Sequence, residues 1–122
     1  MNSRLKSLSH AFRGLCDAVR NETNMKIHVI AAILVITLGL FLQLSSIEWL
    51  IVLFCIGLVI SMETINTAIE KLADAISTDF HPKIKSAKDM AAGAVLISAI
   101  VAFIIGLLIF VPKLFQLYQT QA

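Results

Sequence analysis

The sequence predicts an all-α integral membrane protein: an N-terminal amphipathic surface helix followed by three transmembrane helices. Three observations carry this. Hydrophobic residues make up 58% of the 122-residue chain and charged residues only 15%, whereas about a quarter of a soluble domain is charged. Three apolar runs are each bounded by polar or turn residues. Ahead of them, apolar and basic residues alternate at helical spacing. The length fits one domain, residues 1–122.

Residues 3–21 read as the amphipathic helix. Leu5, Leu8, Phe12, Leu15 and Val19 recur at helical intervals, while Arg4, Lys6, His10, Arg13, Asp17 and Arg20 fill the other sides. A basic face opposite an apolar one suits a helix lying among lipid headgroups or packed on its own protein. Residues 27–44 form the first span, rising about 27 Å against a hydrocarbon thickness of ~30 Å. Ser45-Ser46 is a tight turn, Ser45 and Glu48 match a capping box, and Trp49 suits an interface anchor.

The second span covers residues 47–69. Its uninterrupted apolar part stops at Met62, about 21 Å of helix, so the helix must continue through Glu63 and Asn66 to cross. That holds an ionisable carboxylate at membrane depth, where such groups are costly and default to function. Residues 77–86, with His81-Pro82, read as a cytoplasmic loop. The third span covers residues 88–111 and is expected to end at Pro112. Along it Ala94, Ser98, Ala102 and Gly106 fall every fourth residue, a small-residue seam suited to close helix contact.

Lys and Arg set the orientation. They gather before the first span (Arg4, Lys6, Arg13, Arg20, Lys26) and between the second and third (Lys71, Lys83, Lys85, Lys88), while the loop after the first span has none. The N-terminus and second loop are therefore expected in the cytoplasm. A net charge of +2 is too small to argue for nucleic acid. Cys16 and Cys55 match neither a disulfide framework nor a metal spacing and read as packing residues. No cleavable signal peptide is expected, because the first apolar run is too long for one.

The chemistry concentrates in residues 63–74. Glu63, Asn66, Glu70 and Asp74 fall on one narrow helical face. Stacked like charges repel, and a bound cation would remove the conflict. Mg²⁺ prefers oxygen ligands and is often held by one or two carboxylates together with substrate phosphates. A water-facing stripe explains Asp74 equally well, whereas depth in the membrane argues against it for Glu63. Glu22 joins the first helix to the first span at the level of Glu70, where two carboxylates from different helices can make a cation site. Lys88 and Asp89 open the third span. Ser86 and Asp89 also match a capping box, and Lys88 could be a snorkelling lysine. Gly-rich phosphate-binding and protein-kinase signatures are absent, so ATP use would need another architecture.

Glu63-x-x-Asn66-x-Ala68-Ile69-Glu70-x-x-x-Asp74, followed by Ala87-Lys88-Asp89-x-Ala91-Ala92-Gly93-Ala94-Val95 and preceded by Asn21-Glu22, resembles the prokaryotic diacylglycerol kinase family over nearly the whole chain. Ser46-Ile47-Glu48-Trp49, His81-Pro82 and residues 109–113 look more like its Gram-positive undecaprenol kinase branch. The chain departs from the family pattern at Ser3, His10 and His28.

The resemblance implies a homotrimer in the bacterial inner membrane with active sites between subunits at the cytoplasmic face. It implies an ATP- and Mg²⁺-dependent lipid kinase of phospholipid metabolism that phosphorylates a membrane lipid alcohol, undecaprenol ahead of diacylglycerol. It implies that Glu63 is the general base, supported by Asn66, and that Glu22 and Glu70 hold the Mg²⁺. It implies that Lys88 and Asp89 contact ATP, with His10, Asp79 and His81 completing the nucleotide pocket. The competing reading from another class is a small ion-conducting oligomer lined by Glu63, which would not need Glu22, Glu70, Lys88 and Asp89.

Overall fold

A computed structural model describes residues 2–122. Four helices follow in order: α1 (Ser3–Asn21), α2 (Thr23–Phe41), α3 (Ser46–Ile76) and α4 (Pro82–Gln121). No strand occurs among the described residues. The most extensive contact is between α3 and α4. α2 lies against α3, and α1 touches the adjoining ends of α2 and α3.

Three helices, α2 to α4, are long and apolar enough to cross a membrane. Leu34, Phe54, Leu96 and Leu108 lie on their outer faces, all exposed. Such a surface is stable where the surroundings are themselves apolar, and helices qualify because their backbone groups are paired internally. Hydroxyls within the spans follow the same rule. Thr37 donates to the Ile33 carbonyl at 2.8 Å, Thr64 to that of Ile60 at 2.8 Å, and Ser98 to that of Val95 at 2.8 Å.

The α2–α3 connection closes with a double hydrogen-bond turn. Leu44 N–H donates to the Gly39 carbonyl (3.1 Å) and Gln43 N–H to that of Leu40 (3.3 Å). This is a Schellman end, which needs a left-handed residue beyond the C-cap. Gln43 supplies it at φ 54°. Leu44 folds back so closely that a Cβ at Gly39 would lie 2.9 Å from Leu44 Cδ1 and 2.9 Å from the Trp49 ring. The expected capping box then starts α3. Ser45 N–H donates to Glu48 Oε2 at 2.7 Å, and Glu48 N–H to Ser45 Oγ at 3.3 Å. Leu44, Val52 and Phe110 form the buried cluster at this end, with Trp49 packed against it.

At the opposite end α3 runs to Ile76 and so carries Glu70 and Asp74 on the helix, as their spacing predicts. One boundary differs from expectation: α4 begins at Pro82, so the loop expected over 77–86 narrows to residues 77–81. His81 is the N-cap: its Nδ1 accepts from Lys83 N–H at 3.2 Å, and Pro82 follows as the first helical residue. Proline fits there because that N–H has no helical partner to lose. Ser86 therefore lies inside α4 and caps nothing, which corrects the capping reading of Ser86 and Asp89.

Pro112 does not end α4, which continues to Gln121. A proline removes one hydrogen bond, but spanning helices tolerate that, and residues 113–121 contain no glycine or second proline to break the helix. The small-residue seam is only partly engaged within one chain. Ser98 is buried, Ala94 is exposed, and a Cβ at Gly106 would meet nothing within 4 Å. Cys55 is buried as expected, whereas Cys16 lies exposed on α1, which corrects its reading as a packing residue.

Candidate functional site

The end where α1 meets α2 and α3 carries the buried polar groups. Glu63 (2% exposed), Asn66 (4%) and Thr67 (5%) are buried on one face of α3. Their spacing of three and four places them together, as the helical period requires. Met25 of α2 and Ala18 of α1, at 0% and 3%, close the same end. A carboxylate withdrawn from water needs partners. His28 Nε2 stands 3.7 Å from Glu63 Oε2, an ion-pair separation rather than a hydrogen bond. Asn66 Nδ2 donates to Glu70 Oε1 over a long 3.4 Å. Asn66 Oδ1 is buried without a partner.

Glu22 occupies the single extended residue between α1 and α2, at φ −106° and ψ 121°. It stands at the N-cap of α2, yet its side chain makes no capping bond. Its carboxylate points instead to α3, where Lys71 Nζ lies 3.9 Å from Glu22 Oε1. The same ammonium donates to Asp17 Oδ2 of α1 at 2.5 Å. That hydrogen bond, and then the lysine's charge, hold the Asp17 carboxyl below the usual carboxylate range. Glu22 and Glu70 both lie near enough for their charges to act on Glu63. Three carboxylates from two regions of the chain therefore share one place, with Lys71 and His28 as nearby bases.

A second group lies beside it, where α3 turns into α4. Lys88 donates to Asp74 at 2.9 Å and also feels the charge of Glu70, while Lys85 pairs with Asp89 at 2.6 Å within α4. Asp79 N–H donates to Ser77 Oγ at 3.1 Å, which tightens the turn. Asp74, Asp79, His81, Lys85, Lys88 and Asp89 line an open cavity of about 240 Å³ there. Three carboxylates and two ammonium groups line it together with a histidine, and both lysines are paired with aspartates, so it is a polar recess of mixed charge.

The residues expected from sequence thus fall into two adjoining groups: Glu22, Glu63, Asn66 and Glu70 in the first, and Asp79, His81, Lys88 and Asp89 in the second. His10 joins neither within one chain, being exposed on α1. Sequence reasoning missed His28 and Lys71 as members. His28 carries a signal, since an ionisable residue inside a span is itself a pointer. Lys71 carries none, because its partner Asp17 is far away in sequence. Among the described residues no group of three His, Cys, Asp or Glu side chains converges to hold a metal. The first group instead offers Glu22 and Glu70 beside the unpartnered Asn66 Oδ1. That sparse oxygen set fits a cation whose remaining ligands are phosphate oxygens and water.

A family model described as prokaryotic diacylglycerol kinase matches residues 9–110. The chain is 47% identical over 114 residues to the undecaprenol kinase of Bacillus subtilis (strain 168), covering 93% of each. It is 42% identical over 102 residues to the diacylglycerol kinase of Helicobacter pylori (strain J99), covering 83% of this chain and 80% of the relative. It is 32% identical over 100 residues to the diacylglycerol kinase of Escherichia coli (strain K12), covering 82% of each.

Proposed function

The chain belongs to the prokaryotic diacylglycerol kinase family, and on that premise we propose that it is a lipid kinase that transfers the γ-phosphoryl group of ATP to the hydroxyl of a membrane lipid alcohol. The observation that carries the reading is Glu63. It is a carboxylate buried within a spanning helix, next to two further carboxylates, at the end of the molecule where Lys85 and Lys88 line a polar cavity. Undecaprenol is the preferred acceptor, on the strength of the 47% identity to an undecaprenol kinase, and diacylglycerol is the other candidate.

The chemistry follows from positions. The lipid hydroxyl oxygen attacks the γ-phosphorus and its proton passes to a Glu63 oxygen. The bond from the γ-phosphorus to the bridging oxygen breaks, and ADP leaves with that electron pair. Asn66 holds the α3 face in register through its bond to Glu70. Glu22 and Glu70 would hold Mg²⁺, which when bound supplies neutralisation of phosphate charge. Lys88 and Asp89, with Asp79 and His81 along the same cavity, would receive the nucleotide. His10 would enter from α1 of a neighbouring subunit. In this reading α1 lies amphipathically on the cytoplasmic membrane surface and the chain works as a homotrimer, which would also cover the open half of the small-residue seam. The basic residues ahead of the first span and in the α3–α4 region, with none in the loop after the first span, support that orientation.

The test is ATP-dependent phosphorylation by purified protein in mixed micelles with Mg²⁺, with undecaprenol and diacylglycerol supplied separately. Transfer to one of them, lost in Glu63→Gln, would establish the kinase and its acceptor. Folded protein that phosphorylates neither lipid would remove both acceptors.

A further inference from the structure

Lys71 is placed differently from the other lysines of the polar end. Lys85 and Lys88 each pair with one carboxylate, whereas Lys71 is shared between two, at 2.5 Å from Asp17 and 3.9 Å from Glu22. The inequality matters. An ammonium in contact with Glu22 would occupy the carboxylate lone pairs that a divalent cation needs. At 3.9 Å it lowers the local negative charge and leaves those lone pairs open. Asp17 is what keeps it there, because its hydrogen bond competes for the same three donors. Glu22 makes no helix-capping bond, so Lys71 alone orients it from the α3 side.

We propose that Lys71, drawn back by Asp17, is a resident counter-cation that sets how strongly Glu22 and Glu70 take up a divalent cation. The inference rests on the metal reading of those two carboxylates. With no nucleotide bound, the ammonium offsets the mutual repulsion of Glu22, Glu63 and Glu70. When a metal arrives, the lysine stays on Asp17 and Glu22 is free to ligate. Lys71 is a positioning residue in this scheme and touches no reacting atom.

The scheme gives substitutions of opposite sign. Lys71→Gln removes the competing charge and should tighten divalent-cation binding about threefold to tenfold, a range appropriate to a partly screened charge at this distance. Asp17→Asn releases Lys71 onto Glu22 and should weaken binding by a similar factor. The double variant decides whether the two act through one contact or only through net charge. If Asp17 acts through Lys71, the double variant binds like Lys71→Gln. If the effects are only those of net charge, it binds like the wild type.

The measurement is electron paramagnetic resonance of Mn²⁺ titrated into the purified full chain in detergent, with the non-hydrolysable β,γ-methylene analogue of ATP present. Opposite shifts, with the double variant matching Lys71→Gln, are expected. Equal shifts in one direction, no shift, or a double variant matching the wild type would each overturn the proposal. Glu70→Gln is the control on its foundation. If Mn²⁺ binding is untouched by Glu70→Gln, the metal reading itself fails. If Glu70→Gln weakens binding but the opposite pattern is missing, only the role of Lys71 fails.

Discussion

Glu48 and Glu63 are the first and last charged residues of the apolar stretch of α3, and the two ends of the helix treat them in opposite ways. Glu48 closes the turn: it accepts from Ser45 N–H at 2.7 Å and pairs with Lys113 at 3.1 Å. Its neighbours Leu44, Val52 and Phe110 form a cluster of hydrocarbon. Glu63 is more deeply buried, yet its nearest base is a histidine at 3.7 Å, and two carboxylates lie close by. One carboxylate is spent on architecture. The other is kept from full satisfaction, an arrangement that lowers stability and persists where the group has another task.

The sharpest way to break this comparison is to exchange the two acids for their amides. Glu63→Gln should lower lipid phosphorylation at least about a hundredfold, as loss of a general base does, while the protein stays folded by circular dichroism. Glu48→Gln should leave turnover within about twofold, since it touches only the Ser45 cap and Lys113, at the end of α3 away from Glu63. Glu70→Ala should raise the Mg²⁺ concentration for half-maximal activity by about tenfold or more, read from a Mg²⁺ titration at fixed ATP. At the architectural end the effects move to stability. Gly39→Val meets Leu44 and Trp49 at sub-contact distance and should destabilise by about 1–3 kcal/mol in detergent unfolding. Gln43→Gly relieves the left-handed backbone and should stabilise by about 0.5–1 kcal/mol.

The same contrast explains what could be read in advance. The capping box at Ser45 and Glu48 was legible because both partners lie within one turn. So were Glu63, Asn66 and Glu70, because the helical period leaves them one face and the length needed to cross a membrane sets the depth of Glu63. The start of α4 was misjudged because His81-Pro82 signals a turn and a helix start equally well, and only the Nδ1 bond to Lys83 decides it. Pro112 misled because a proline stops a helix only where nothing supports the freed carbonyl. The Asp17–Lys71 contact and the approach of His28 to Glu63 join different helices. No local pattern encodes them. The extended residue at Glu22, which folds α1 back to α3, creates the first of them.

α3 is one unbroken helix of 31 residues, about 46 Å long and so longer than a ~30 Å hydrocarbon layer. Glu63 and Glu70 sit on that single rod, about 10 Å apart along its axis. On the proposed reading the rod is a depth gauge. It fixes the height at which a hydroxyl must be presented, measured from the height at which phosphate is held. A thicker or thinner bilayer would shift the hydroxyl along this scale while the distance between the two marks stayed constant. Reaction rate would then follow membrane thickness through alignment alone, with no change in the protein.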